Sequence, residues 1–179
     1  MNYIYHKAEE VIRRFNTRNP YELLEWIGAK LILFGDIDPS ELKGYATIIK
    51  RMKIAAVNSN LCEHDQRVVA GHEAAHLILH KNEILCSAGK VINDFDLYTE
   101  LSRLENQANH FLANFLISDE QIFNAIADSD SDYFKTAREL YIPPPLLAFK
   151  LHCMMRRGLS VRPPIDLNSR FLRKWGYKS

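Results

Sequence analysis

Cysteine is scarce in this 179-residue sequence, with only Cys62, Cys86 and Cys153. They are odd in number, far apart and never in a C-x-x-C pair, which argues against a disulfide framework and against a zinc ribbon. They read as reduced bystanders. No run approaches the roughly 18 uncharged apolar residues that a membrane helix needs. The opening MNYIYHKAEEVIRR lacks the apolar centre of a signal peptide, so a soluble, cytoplasmic protein with no membrane partner is expected. Net charge is almost lacking as well, at +1. That balance conceals an asymmetry: from Lys150 onward eight Lys and Arg face only Asp166, a local +7 that leaves −6 for residues 1–149. A basic tail of this kind can touch DNA or an acidic partner, although most such tails are solvated surface.

With 47% apolar residues, the chain is long enough to bury one well-packed domain. Its organising stretch is Asn60–His80, NLCEHDQRVVAGHEAAHLILH, and within it His72-Glu73-Ala74-Ala75-His76. On a helix, His72 and His76 stand one turn apart with β-carbons roughly 5–6 Å from each other, a separation suited to two imidazole ligands of one metal ion. Glu73 lies about 100° around from His72, poorly aimed as a ligand yet at the rim of the same face, where a carboxylate can hold a water and take its proton. A shuffle of this composition, with 7 His among 179 residues, would contain H-E-x-x-H about 0.02 times, so chance is a poor explanation. A buried helix with two satisfied core histidines is the bland alternative, but a core has no need for the intervening Glu.

The flanking chain supplies a scaffold. Residues 4–16 read as an amphipathic helix, and Asn19-Pro20 as the cap and first residue of a second helix that Gly28 ends. Lys30–Phe34 reads as a short strand, and Gly44–Lys50 and Lys53–Ser59 as a hairpin joined at Arg51-Met52. A strand delivered beside the metal site can pair with an extended peptide, although an ordinary structural hairpin fits the same pattern. The central helix is expected to start at Asn60 with Asn60-Leu-Cys-Glu63 as a capping box, and to be buried around Leu77, Ile78 and Leu79. His80 rises about 12 Å from His72 along the helix, too far to share an ion held by bonds of about 2 Å, so it is assigned to the helix end or to a place behind a ligand.

Two histidines do not complete a catalytic site. The longer pattern H-E-x-x-H-x-x-G-x-x-H is excluded, because Leu79 and Asn82 stand where Gly and His would be needed. Lys81–Thr99 reads as an irregular excursion with Asp94, Asp96 and Glu100 as acidic candidates near its end. Glu105, in the helical stretch Thr99–Leu116, is the stronger candidate. It shares a face with Ala108, Asn109 and Leu112, placing a small residue and an amide beside the carboxylate, while His110 points elsewhere. Tyr98 and His110 are the only guesses for an oxyanion donor. Further on, Asp132–Leu140 and Leu146–Arg157 read as helices around a stiff Tyr141-Ile-Pro-Pro-Pro turn, with Gly158 as a stop. That pair resembles a degenerate helix-turn-helix in which Arg156 and Arg157 reach phosphate, but the prolines favour packing or partner docking. Pro163-Pro164 opens a tail that Phe171, Leu172 and Trp175 anchor.

HEAAHLILH, followed 25 residues after His80 by ENQANHFLANFLI, resembles the ImmA/IrrE family of metallopeptidases, whose H-E-x-x-H helix and downstream E-x-x-A-N-x-F-A segment form a zinc site. The resemblance covers about residues 40–120. It departs at Leu112, where the family has Ala, and at Ile117-Ser118, where it has Leu-Met-Pro. It implies His72, His76 and Glu105 as zinc ligands and Glu73 as the catalytic glutamate. The expected fold is α+β: a compact zincin-like domain over residues 1–120 with a small sheet on the H-E-x-x-H helix, and a helical C-terminal extension with a basic tail over 121–179, packed on the same domain. By resemblance, the substrate is a helix-turn-helix repressor of a phage or mobile element. The rivals are a metal-stabilised regulatory or DNA-binding module, a toxin–antitoxin component, and a broad peptidase for small peptides.

Overall fold

The computed structural model describes residues 2–86, 100–127 and 133–161. Among the described residues eight helices and three strands follow one another: α1 Asn2–Phe15, α2 Pro20–Trp26, β1 Ala29–Phe34, β2 Gly44–Ile49, β3 Met52–Asn58, α3 Glu63–Leu79, α4 Lys81–Cys86, α5 Glu100–Leu116, α6 Asp119–Ala127, α7 Tyr133–Glu139 and α8 Pro144–Arg156. The class is α+β, as expected. They group into two compact units, with residues 19–86 and 100–108 in one and residues 2–18, 109–127 and 133–161 in the other. No described helix is long and apolar enough to cross a membrane.

In the first of these units, α2 opens as the sequence predicts. Asn19 accepts from the Tyr21 amide at 3.1 Å, Pro20 takes the first helical position, and Gly28 leaves the helix at φ +68°. The strands form a sheet in the order β1-β3-β2, with β1 parallel and β2 antiparallel to β3. The hairpin turn is Lys50-Arg51, one residue earlier than expected, since Ile49 faces Met52. Both turn residues have positive φ, 50° and 69°, the conformation a two-residue hairpin demands and which Asn-Gly more often supplies. From Ile54 to Asn58 the central strand is buried throughout. Asn58 ends it by donating to the carbonyls of Ile37 and Leu42 at 2.7 and 2.9 Å and accepting from the Asn60 amide at 2.9 Å. The loop that leads into β2 is thereby pinned.

The helix α3 packs on β2 and β3, and its residues from Val68 to Leu77 are buried without a break. A helix apolar or small on nearly every side belongs in a core. The expected capping box is absent: α3 starts at Glu63 behind Cys62, which makes no side-chain cap. Asn60 instead donates its amide to the Gly35 carbonyl at 3.0 Å. The irregular excursion expected from Lys81 begins with a helix, α4, held by buried Ile84. Asp94, Asp96, Tyr98, Pro163-Pro164, Phe171, Leu172 and Trp175 lie outside the described residues.

The second unit buries Ile4, Ala8 and Val11 of α1, Phe111 and Phe115 of α5, and Leu146, Phe149 and Met154 of α8. Arg18 donates to the Asn114 and Phe115 carbonyls at 2.9 and 3.0 Å, satisfying acceptors at the end of α5. Two cations assigned from sequence to a basic surface are turned inward. Lys150, 1% exposed, pairs with Asp119 at 2.7 Å and Asn114 at 3.2 Å. Arg157 makes two bonds of 2.8 Å to Asp119 and lies 3.8 Å over the Tyr5 ring. The proline turn is also shorter than expected. Pro143 caps α8 and Pro144 is its first residue, so the fixed φ of proline starts the helix instead of extending a loop.

Candidate metal centre

Helix periodicity brings His72 and His76 to one side of α3 with ring centroids 4.7 Å apart and planes at 72°. Their Nε2 atoms are 3.1 Å from each other. From α5, Glu105 places Oε2 3.0 Å from His72 Nε2 and Oε1 3.0 Å from His76 Nε2. Both histidines are buried, whereas the Glu105 side chain keeps 16% of its surface exposed.

The donor set fits a metal ion. Four-coordinate zinc with bonds near 2.0–2.1 Å sets its ligand atoms about 3.3 Å apart, within a few tenths of an ångström of the edges seen here. Two imidazoles and a carboxylate that converge on one point offer lone pairs that a cation can share. Burial raises the Glu105 pKa, but the attraction of His76 and then His72 outweighs it and holds the carboxyl well below its ordinary value. That keeps the carboxylate charged. Asp94 and Asp96 lie outside the described residues, and only the backbone of Glu100 is described.

Glu73, 6% exposed, lies beneath the start of β2. A β-carbon built on Gly44 would stand 3.2 Å from Glu73 Oε1, 2.8 Å from the Ala56 carbonyl oxygen and 2.4 Å from Val69 Cγ1. Only glycine lets the edge strand come this close to the H-E-x-x-H helix.

His80 caps the C-terminus of α3 and does not join the triangle, as its helical rise requires. Its Nδ1 lies 2.9 Å from His76 Nδ1, and its Nε2 lies 3.0 Å from Gln107 Oε1. Burial, and next the proximity of His76, push its pKa down to about 4. Sequence reasoning missed Gln107, which stands about 200° around α5 from Glu105, so periodicity gave no sign of it. His110 turns toward α8, with its ring 5.0 Å from Phe149 and 5.7 Å from His152. Burial, followed by His152 and Arg156, lowers its pKa to about 4. A second group of ligand-type atoms, from Cys62, His64 and Asp65, sits at the start of α3, where Cys62 is exposed and His64 Nδ1 is 3.0 Å from Asp65.

Comparison with known proteins gives concordant matches. The family model described as the IrrE N-terminal-like domain, a peptidase family, matches residues 31–152. Metallopeptidase ImmA of Bacillus subtilis strain 168 is 29% identical over 123 residues, 69% of this chain and 68% of that protein. Immunity region protein 2 of Bacillus phage phi105 is 28% identical over 112 residues, 63% of this chain and 66% of that protein. The chain thus spans about two thirds of the length of these relatives. Among solved structures, a Mycobacterium tuberculosis transcriptional regulator superposes over 92% of this chain and 48% of its own, with TM-score 0.57 and 15% identity, a likeness of fold alone.

Proposed function

Since the chain belongs to the IrrE N-terminal-like peptidase family, we propose that it is a zinc-dependent endopeptidase of the gluzincin type, acting in the cytoplasm on a helix-turn-helix repressor of a phage or mobile element. The observation that carries the reading is the triangle of His72 Nε2, His76 Nε2 and Glu105, with edges of 3.0–3.1 Å and Glu73 on the same helix. His72, His76 and Glu105 would hold the ion. Zinc so held supplies a Lewis acid for the scissile carbonyl and lowers the pKa of a water toward about 7.

Glu73 has the chemistry of the general base: it takes the proton of the attacking water and returns it to the leaving amine nitrogen. Its place under Gly44 puts it at the margin of β2, which has β3 on one side and no strand on the other among the described residues. An extended peptide laid along that side would meet backbone groups of β2, giving affinity without sequence and leaving selectivity to alternate side chains. The repressor is favoured as substrate because one relative is named for metallopeptidase activity and the other for a phage immunity region. A DNA-contacting module is disfavoured, because Arg157 is committed to Asp119 and Tyr5.

The test incubates zinc-loaded protein with the repressor encoded nearest to it. Cleavage at one position, abolished in Glu73→Gln, is the expected result. An intact repressor with the wild type, or equal cleavage by Glu73→Gln, removes the proposal.

A further inference from the structure

A ring nitrogen can ligate a metal only through its lone pair, and which nitrogen keeps that pair is set by the bond the other one makes. For His76 to offer Nε2 to the triangle, its proton must sit on Nδ1. The partner of that Nδ1 is another histidine nitrogen, His80 Nδ1 at 2.9 Å, which can either donate or accept. If His80 donated, His76 would accept at Nδ1, its proton would move to Nε2, and the ligand position would be blocked. His76 Nε2 also faces the Glu105 carboxylate at 3.0 Å, a place the ion would take, so the sense of the Nδ1 bond decides whether His76 keeps a lone pair for that ion.

The residue that fixes the sense is Gln107. Its Oε1 lies 3.0 Å from His80 Nε2, and an amide oxygen only accepts. With the amide oxygen turned to the ring, His80 carries its proton on Nε2, which leaves Nδ1 free to accept from His76. His80 is 1% exposed, so water does not compete for either nitrogen. We propose that His80 and Gln107 are positioning residues: the chain His76 Nδ1–H to His80 Nδ1, and His80 Nε2–H to Gln107 Oε1, presets the His76 tautomer for metal binding. This rests on the metal-centre reading above and adds two residues to it.

The test measures zinc affinity by competition with a chelating dye, together with nitrogen-15 histidine spectra of the zinc-loaded full chain. In the wild type, His80 is expected to carry its proton on Nε2. His80→Phe, which fills the space but cannot accept, should weaken zinc binding by about 10- to 100-fold. Gln107→Leu, at a half-buried site less prone to disturb folding, should weaken it by about 10-fold and, in the zinc-free chain, release His80 from a single tautomer. Gln107→Glu keeps an acceptor and should restore both. A His80 proton on Nδ1 in the zinc-loaded wild type, or wild-type affinity in folded Gln107→Leu, overturns the proposal. A wild type that takes up no zinc overturns the metal-centre reading itself, whereas zinc uptake with unaffected variants overturns this chain alone.

Discussion

Replacing Gly44 with alanine probes how the edge strand and the proposed base share space. The added β-carbon would stand 2.4 Å from Val69 Cγ1, about 1 Å inside the 3.4 Å at which ordinary contact begins. Val69 cannot easily yield, because it is 2% exposed and a β-branched residue on a helix has one strongly preferred rotamer. Nor can the Ala56 carbonyl, 2.8 Å away on the buried stretch of the central strand. The strand β2 must therefore move off α3 and let Glu73 shift with it. Overpacking of this kind costs about 1–3 kcal/mol. At about 2–4 °C per kcal/mol for a chain of this size, thermal unfolding should begin roughly 2–12 °C lower. Peptidase activity should fall further than stability alone accounts for, by up to about 10²-fold, since a displacement near 1 Å at a reacting group can cost that much. Zinc affinity should hold, as Glu73 is not one of the three proposed ligand groups. The paired assays are scanning calorimetry and repressor cleavage at a temperature where both proteins are folded. A Gly44→Ala protein with wild-type melting temperature and wild-type activity would refute the reasoning.

Two further outcomes follow from the charges. Burial works against ionisation of Asp119, yet bonds from Arg157 and Lys150 prevail and hold its pKa below the ordinary 3.8. A carboxylate depressed in the folded state adds stability above its unfolded pKa and loses it as pH falls through the folded one, so chemical denaturation should show this contribution fading below about pH 4. Asp119→Asn should flatten that acid limb. It should also cost about 3 kcal/mol at neutral pH by leaving Lys150, 1% exposed and itself lowered in pKa by burial against the pull of Asp119, without its anion. Finally, a ligand that binds only the folded chain stabilises it by mass action, by about 4 kcal/mol at 1,000 times its Kd. Zinc at that excess should therefore raise the melting temperature by roughly 8–16 °C, and a chelator should reverse the rise.

Much of the site can be read from the sequence because it obeys helical spacing. His72 and His76 are one turn apart, and Glu105 precedes Ala108 and Asn109 on a face that periodicity identifies. The exclusion of His80 from the triangle followed from helical rise alone. What escaped was set by contacts distant in sequence. Gln107 is an ordinary amide on an unmarked face of α5, and only its meeting with His80 gives it meaning. Lys150 and Arg157 read as surface charge in the sequence, and it is Asp119 that draws both inward. The hairpin turn was misplaced by one residue because Lys50 and Arg51 carry no turn chemistry of their own, and register with β3 imposes their positive φ. Asn60 has the residue type of a cap, but its backbone N–H donates to Asn58, its side-chain amide donates to Gly35, and the helix begins only at Glu63.

The account stands most directly on the metal content of the purified chain compared with Glu105→Ala. Elemental analysis after dialysis against trace zinc is expected to find one zinc per wild-type chain and almost none in the variant, with unchanged circular dichroism. Stoichiometric zinc retained by Glu105→Ala, or a wild-type chain that holds none, would contradict it.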